Sequence, residues 1–107
     1  MNVEEITDYC MEKPNVTSGF PFGGDVLVFK KSGKVFCLLV LDKQPITFNV
    51  KCDPERAIEL REQYPAVLPG YHMDKKHWNT IVVDGTLNDK LLKGFIDDSY
   101  DLIKVKK

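Results

Sequence analysis

Both histidines of the chain, its single tryptophan and two adjacent lysines lie in one short stretch, LPGYHMDKKHWNT, at residues 68–80. Such a cluster could be a metal site, a catalytic pair, a nucleic-acid contact or the packed base of a hairpin. His72 and His77 alone do not complete a zinc site, because zinc takes four protein ligands, or three and a water. The pattern therefore predicts neither a metal nor another cofactor.

Other residue patterns offer little catalytic chemistry. A nucleophile needs a neighbouring base and a group that orients this base, and neither Ser99, in a predicted helix, nor Cys37, in an apolar run, has them in its neighbourhood. The acidic row Glu4, Asp8 and Glu12 has helical spacing, and such a row is more often a solvated helix face than an iron site. The sequence therefore favours a binding protein over an enzyme.

Length and composition are those of a small globular protein. The 107 residues suffice for one compact domain, predicted over 1–107, and 43% of them are hydrophobic and 29% charged. The sequence has no apolar run of membrane-spanning length and no signal-peptide core, which predicts a cytoplasmic protein without a membrane partner. Three widely separated cysteines, Cys10, Cys37 and Cys52, fit free thiols in a reducing compartment.

The elements that must position the 68–80 stretch follow from apolar spacing. Helices are predicted at 2–13, at 53–64 and from residue 88, with Asn2 and Asp53 as caps. Strands are predicted at 25–30, 34–41, 46–51, 71–73 and 77–83. The order α-β-β-β-α-β-β-α predicts an α+β fold, a two-layer sandwich with helices on one side of an antiparallel sheet. The predicted core residues are Phe36, Leu38, Phe48, Leu60, Leu92, Phe95 and Ile96.

Four blocks of the sequence resemble the MmcQ/YjbR family: FPFGGDVLVF, ITFNVKCDPE, LREQYPAVLPGYHMDKKHWNTI and DDSYDLI. The resemblance implies the double-wing fold of this family, which is grouped with frataxin-like proteins and has a five-stranded sheet of order 1-2-3-5-4. It also implies DNA binding, the function attributed to the family. The resemblance supplies no catalytic residue.

Charge is unevenly distributed along the chain. Residues 25–52 sum to +3 and residues 65–83 to +1, whereas residues 1–16 and 53–64 sum to −3 and −2. In the implied strand order, the tips after the first and fourth strands share one edge of the sheet with the end of the third. Lysines at hairpin tips also protect against aggregation, which is the simpler interpretation. The predicted nucleic-acid-binding set at this edge is Lys30, Lys31, Lys34, Lys51, Lys75, Lys76 and His77.

The aromatic residues of the 68–80 stretch leave three interpretations open. Tyr71 and Trp78 could stack on the bases of a single strand, although a lone tryptophan more often packs in a core. The uncovered sheet face around Thr47, Asn49 and Asn79 could instead bind a protein, which is the main alternative to DNA. A pocket between the FPFGG segment and the second hairpin could hold a small molecule. The residues predicted for such a surface or pocket are Tyr71, His72, Trp78 and Asn79.

Overall fold

The structure is a computed structural model that describes residues 1–104, so the last three residues of the predicted domain 1–107 lie outside the described residues. The described residues form three helices and six strands, and none of these helices is both long and apolar enough to cross a bilayer. The helices are α1 (Val3–Met11), α2 (Pro54–Gln63) and α3 (Asp89–Leu102). The strands are β1 (Val16–Gly19), β2 (Val26–Lys31), β3 (Lys34–Val40), β4 (Thr47–Lys51), β5 (Val67–Pro69) and β6 (Trp78–Val82).

Local hydrogen bonds define where the first two helices begin. The Asn2 side chain accepts from the backbone N–H of Glu5, and the Glu5 carboxylate accepts from the backbone N–H of Asn2, which is a capping box. The Asp53 carboxylate accepts from the N–H of Glu55, and Pro54 occupies the first helical position. The predicted positions of these helices are therefore confirmed.

The sheet is antiparallel, with the order β1-β2-β3-β4-β6-β5. The prediction of five strands is wrong, because Val16–Gly19 pairs with β2 and adds a sixth strand at the edge, which changes the order of the whole sheet. This strand has two exposed residues between two half-buried ones and ends in a glycine, so its sequence carries little strand signal. The other five strands follow one another in the predicted order 1-2-3-5-4. The predicted strand at 71–73 is also wrong: β5 is Val67–Pro69, and residues 70–77 form a loop between β5 and β6.

All three helices pack on one face of the sheet and enclose the main hydrophobic core. Phe48 and Ile81 on the sheet are almost completely buried in this core. All seven predicted core residues are buried. Leu38, however, alternates with Cys37 and Leu39, which belong to the helix-side core, so Leu38 points to the other face.

A β-bulge and a buried serine connect the sheet to α3. The pairing of β2 with β3 shifts between Phe29 and Lys30, so Phe36 is an extra residue and points to the helices like Cys37. The hydroxyl of Ser99, on α3, donates to the Phe36 carbonyl at 2.5 Å and accepts from the Lys51 N–H at 2.8 Å. Ser99 is completely buried, and its two hydrogen bonds connect β3 and β4 to α3.

Candidate nucleic-acid interface

One end of the sheet collects lysines from three separate segments. Because neighbouring strands are antiparallel in the observed order, β2, β4 and β5 finish at the same end, where β3 and β6 begin. A hydrogen bond of 2.7 Å from the Cys52 N–H to the His77 carbonyl ties the end of β4 to the 70–77 loop. We call this region the basic end and define it by Lys30, Lys34, Lys51, Lys75 and Lys76.

Alternation along β2 separates two neighbouring lysines that were both predicted to bind nucleic acid. Lys31 lies on the helix side, where its Nζ donates to the carbonyls of Tyr100 at 3.0 Å and Ile103 at 3.1 Å. The same Nζ lies 4.0 Å from the centroid of the Tyr100 ring. Lys30 points to the other face. Lys31 therefore does not belong to the nucleic-acid-binding set, because its ammonium group already donates hydrogen bonds to carbonyl groups at the C-terminus of α3.

The 70–77 loop is held by its own hydrogen bonds. The Asp74 carboxylate accepts from the Lys76 N–H at 2.9 Å, and its second oxygen lies 2.6 Å from Nδ1 of His77. The hydrogen bond with His77 is the main reason that the pKa of Asp74 lies below its usual value. Lys75 donates from Nζ to the Gly70 carbonyl, whereas Lys76 is exposed. The loop thus presents Lys76 beside an Asp74–His77 pair.

The aspartates of the basic end do not neutralise its lysines. Asp74 is paired with His77, and Asp53 caps α2 by accepting from the N–H groups of Glu55 and Arg56. Within residues 1–104, no carboxylate oxygen lies within 4.0 Å of the Nζ of any lysine that defines the basic end. Five lysines against Asp53 and Asp74 give the basic end a net positive charge, and none of these lysines is held in an ion pair within the described residues.

The helix-free face adjoins the basic end and carries the tryptophan. Trp78 pairs with Lys51 across β4 and β6, and it alternates with Asn79. Asn79 points to the helices, because its Nδ2 donates to the Ala57 carbonyl of α2 and the residue is 1% exposed. Trp78 therefore lies on the helix-free face, half-buried, and does not pack under α3.

The burial of Asn79 and Asn49 corrects the predicted sets that contain them. Asn79 therefore belongs neither to the candidate pocket nor to the helix-free face. Asn49 lies on the helix-free face, but it is buried and its side-chain oxygen accepts from the Thr80 hydroxyl. A protein-binding surface around Thr47, Asn49 and Asn79 is therefore not available as predicted.

Tyr71 folds back over the helix-free face. Its N–H donates to the Thr80 hydroxyl at 2.9 Å, its ring centroid lies 4.0 Å from that of His72, and its side chain is largely exposed. Nζ of Lys43, in the loop between β3 and β4, lies 4.6 Å from the Tyr71 ring centroid. The sequence did not indicate this contact, because Lys43 and Tyr71 belong to loops that start at opposite ends of the sheet.

The described residues contain no group of three histidine, cysteine or acidic side chains arranged to hold a metal ion. His77 bonds to Asp74, and the His72 ring contacts the Tyr71 ring at a tilt of 55°, so the two histidines do not converge. The absence of a metal stays a prediction. Among the residues that the structure describes, no hydrogen bond or aromatic pair joins the FPFGG segment to the 70–77 loop, and the small-molecule pocket stays a prediction.

Comparison with known proteins gives a consistent family assignment. The sequence matches the YjbR family over residues 11–102. It is 37% identical to the uncharacterized protein YbdF of Escherichia coli O157:H7, covering 88% of this chain and 77% of that protein. It is 30% identical to the uncharacterized protein YjbR of Escherichia coli K12, covering 94% and 85%.

Two solved structures are similar over nearly the whole chain. A Deinococcus radiodurans protein superposes with a TM-score of 0.87 at 37% identity, covering 94% of this chain and 77% of that one. A Pseudomonas syringae protein superposes with a TM-score of 0.85 at 29% identity, covering 97% and 100%. These similarities describe the fold and carry no activity.

Proposed function

The chain belongs to the YjbR family, as its sequence blocks predicted, and we propose that it is a nucleic-acid-binding protein that holds phosphates at its basic end. Because the relatives named above are themselves uncharacterized, the proposal is based on the surface of this chain. DNA is the nucleic acid that the family resemblance implies, and no enzymatic step is part of the proposal.

One observation carries this proposal: lysines from the β2–β3 hairpin, from β4 and from the 70–77 loop converge without a carboxylate partner in the described part of the chain. Lysine contacts to phosphate release counterions, and this release drives binding that depends little on base sequence. The basic end extends from β2 to β5, which is about 19 Å at the usual strand spacing of about 4.8 Å. At about 3.4 Å between phosphates along one strand of B-DNA, that length covers about six phosphates.

Exposed apolar residues favour the second candidate, a protein-interaction module. Phe22, in the loop before β2, is 73% exposed, and Leu68, on β5, is 44% exposed. The two side chains lie at opposite edges of the sheet, and each could contribute an apolar contact to a protein interface. Binding through such groups would change little with salt, whereas phosphate binding would weaken steeply as salt increases.

The test is a fluorescence-anisotropy titration of labelled DNA at several salt concentrations. The test variant is Lys34→Gln/Lys76→Gln. In the wild type both lysines are exposed, and neither side chain has a hydrogen-bond or ion-pair partner among residues 1–104. We expect the slope of log affinity against log salt to decrease by about 1.4 to 1.8 units, since each contact contributes about 0.7 to 0.9. Stability should change by less than about 0.5 kcal/mol.

The matched control is Lys90→Gln/Lys93→Gln, which removes the same charge from exposed positions in the first two turns of α3, at the end of this helix opposite its contact with Lys31. We expect this variant to keep the wild-type slope. Equal slopes in the two double variants, or no binding by the wild type at low salt, would refute the proposed function.

A further inference from the structure

We propose that the nucleic acid is single-stranded and that its bases stack on Tyr71 and Trp78. This inference depends on the proposed function, because the lysines of the basic end hold the strand while the aromatic rings take its bases. The juxtaposition of lysines and aromatic rings on the helix-free face is the feature that carries it.

Two cross-strand pairs lie on the helix-free face at the basic end. Lys30 of β2 pairs with Val35 of β3, and Lys51 of β4 pairs with Trp78 of β6. At a strand spacing of about 4.8 Å, Lys51 lies two strands, about 10 Å, from Lys30 and one strand from Trp78. One cation beside an aromatic ring, with a second cation about 14 Å from that ring, is a combination that can bind a strand through its backbone and its bases.

Tyr71 adds a second ring, and its backbone is anchored before a ligand binds. Its backbone is held by the Thr80 hydroxyl, and its ring contacts His72, yet 57% of the residue is exposed. A base that stacks on this ring therefore orders few additional groups. Lys43, at 4.6 Å from the ring centroid, can move to a phosphate because its side chain is flexible.

The helices disfavour reading of a duplex groove. Helical readers insert a helix into the major groove of DNA. Here the helices cover the opposite face of the sheet, and α1 carries Glu4, Glu5 and Asp8. These carboxylates would repel the phosphates on either side of a groove, so the helices would contribute little affinity for a duplex.

The floor of the helix-free face offers few groups for reading base edges. The Thr80 hydroxyl already accepts from the Tyr71 N–H and donates to the Asn49 side chain. Stacking does not require a particular base, because every base has a π-face. We therefore expect weak preference among base sequences.

The experiment uses the natural fluorescence of Trp78, which is the only tryptophan of the chain. The protein is titrated at low salt with a twelve-nucleotide oligothymidine, with an abasic strand of equal length and charge, and with a duplex of equal length. We expect oligothymidine to quench Trp78 and to bind at least about 30-fold more tightly than the abasic strand, since stacking contributes about 1–3 kcal/mol for each of two bases. The duplex should bind more weakly than oligothymidine.

Variants assign the effect to the ring. Tyr71→Ala should weaken oligothymidine binding by roughly 5- to 100-fold and leave abasic-strand binding unchanged, whereas Tyr71→Phe should bind like the wild type. Phe22→Ala is the matched control, because it removes an exposed aromatic ring from the loop before β2. We expect this control to bind oligothymidine like the wild type.

The outcomes separate this inference from the proposed function. If the abasic strand or the duplex binds as tightly as oligothymidine, with a steep salt dependence, the stacking inference is wrong and the proposed function stands. If none of the three binds at low salt, both are wrong. An equal loss of affinity in Tyr71→Ala and Phe22→Ala would also overturn the stacking inference.

Discussion

The helix-covered and helix-free sides of the sheet differ in what happens to their charged groups. On the helix side, Lys13 pairs with Asp97, and Lys31 satisfies carbonyls at the end of α3. On the helix-free side, Lys30 and Lys51 have no carboxylate within 4.0 Å among residues 1–104. Lysines with internal partners stabilise the fold, whereas lysines without them remain available for a ligand.

The largest expected difference between the two sides is in stability. Phe48→Ala on the helix side should lower the free energy of unfolding by about 3–5 kcal/mol, because Phe48 is completely buried in the core. Tyr71→Ala on the helix-free side should lower it by less than about 1 kcal/mol, because Tyr71 is largely exposed. Urea unfolding of both variants measures the difference, and similar losses would contradict the assignment of the two sides.

A smaller difference is expected between two adjacent lysines. Lys31→Gln should cost about 1 kcal/mol of stability and leave nucleic-acid affinity nearly unchanged, because Lys31 binds the C-terminus of α3 and the Tyr100 ring. Lys30→Gln should change stability by less than about 0.5 kcal/mol and weaken binding. Unfolding and anisotropy measurements on the same two proteins test this, and a loss of binding in Lys31→Gln alone would reverse the assignment.

The smallest expected effect concerns pH and the contact between α1 and α3. Burial and the hydrogen bond from the Tyr9 hydroxyl to Asp97 raise the pKa of Tyr9 from 10.0 to about 12. Burial acts to raise the pKa of Asp97, but hydrogen bonds from Lys13 and Tyr9 outweigh it and hold this pKa below its usual value.

The raised pKa of Tyr9 means that its contribution to stability is fully present below pH 10 and is lost as pH rises through about 12. The lowered pKa of Asp97 means the reverse: its contribution is present above its usual pKa and is lost as pH falls through the lowered one. Urea unfolding at pH 8 and pH 11 should therefore show that the free energy of unfolding decreases more at pH 11 in the wild type than in Tyr9→Phe. An equal decrease in both proteins would contradict a raised pKa for Tyr9.

Residues of the candidate site were predicted with unequal success. Lys34 and Lys76 could be placed from sequence because hairpin tips and loops are exposed wherever the strands lie. Trp78 and Asn79 could not be assigned to a face, since HWNTIVV has apolar residues at both alternating positions. The contact between Lys43 and Tyr71 could not be predicted from the sequence, because it depends on a loop that folds back across the sheet.

The sequence by itself determined the features that depend on neighbours a few residues apart. Asn2 and Asp53 mark the starts of α1 and α2 because their side chains bond to N–H groups two or three residues further on. The burial of Phe48 and Ile96 follows from apolar content, and the family follows from whole blocks of sequence.

Only the tertiary structure decided which face each alternating residue occupies and where the sheet ends. The bulge places both Phe36 and Cys37 of β3 on the helix side. The packing of α3 decides that Lys31 and not Lys30 meets the helices, and the pairing of Val16–Gly19 with β2 adds an edge strand. Strand register depends on partners far away in the chain, and a shift of one residue exchanges the two faces. A local pattern therefore cannot fix which lysines meet the helices and which remain on the helix-free face.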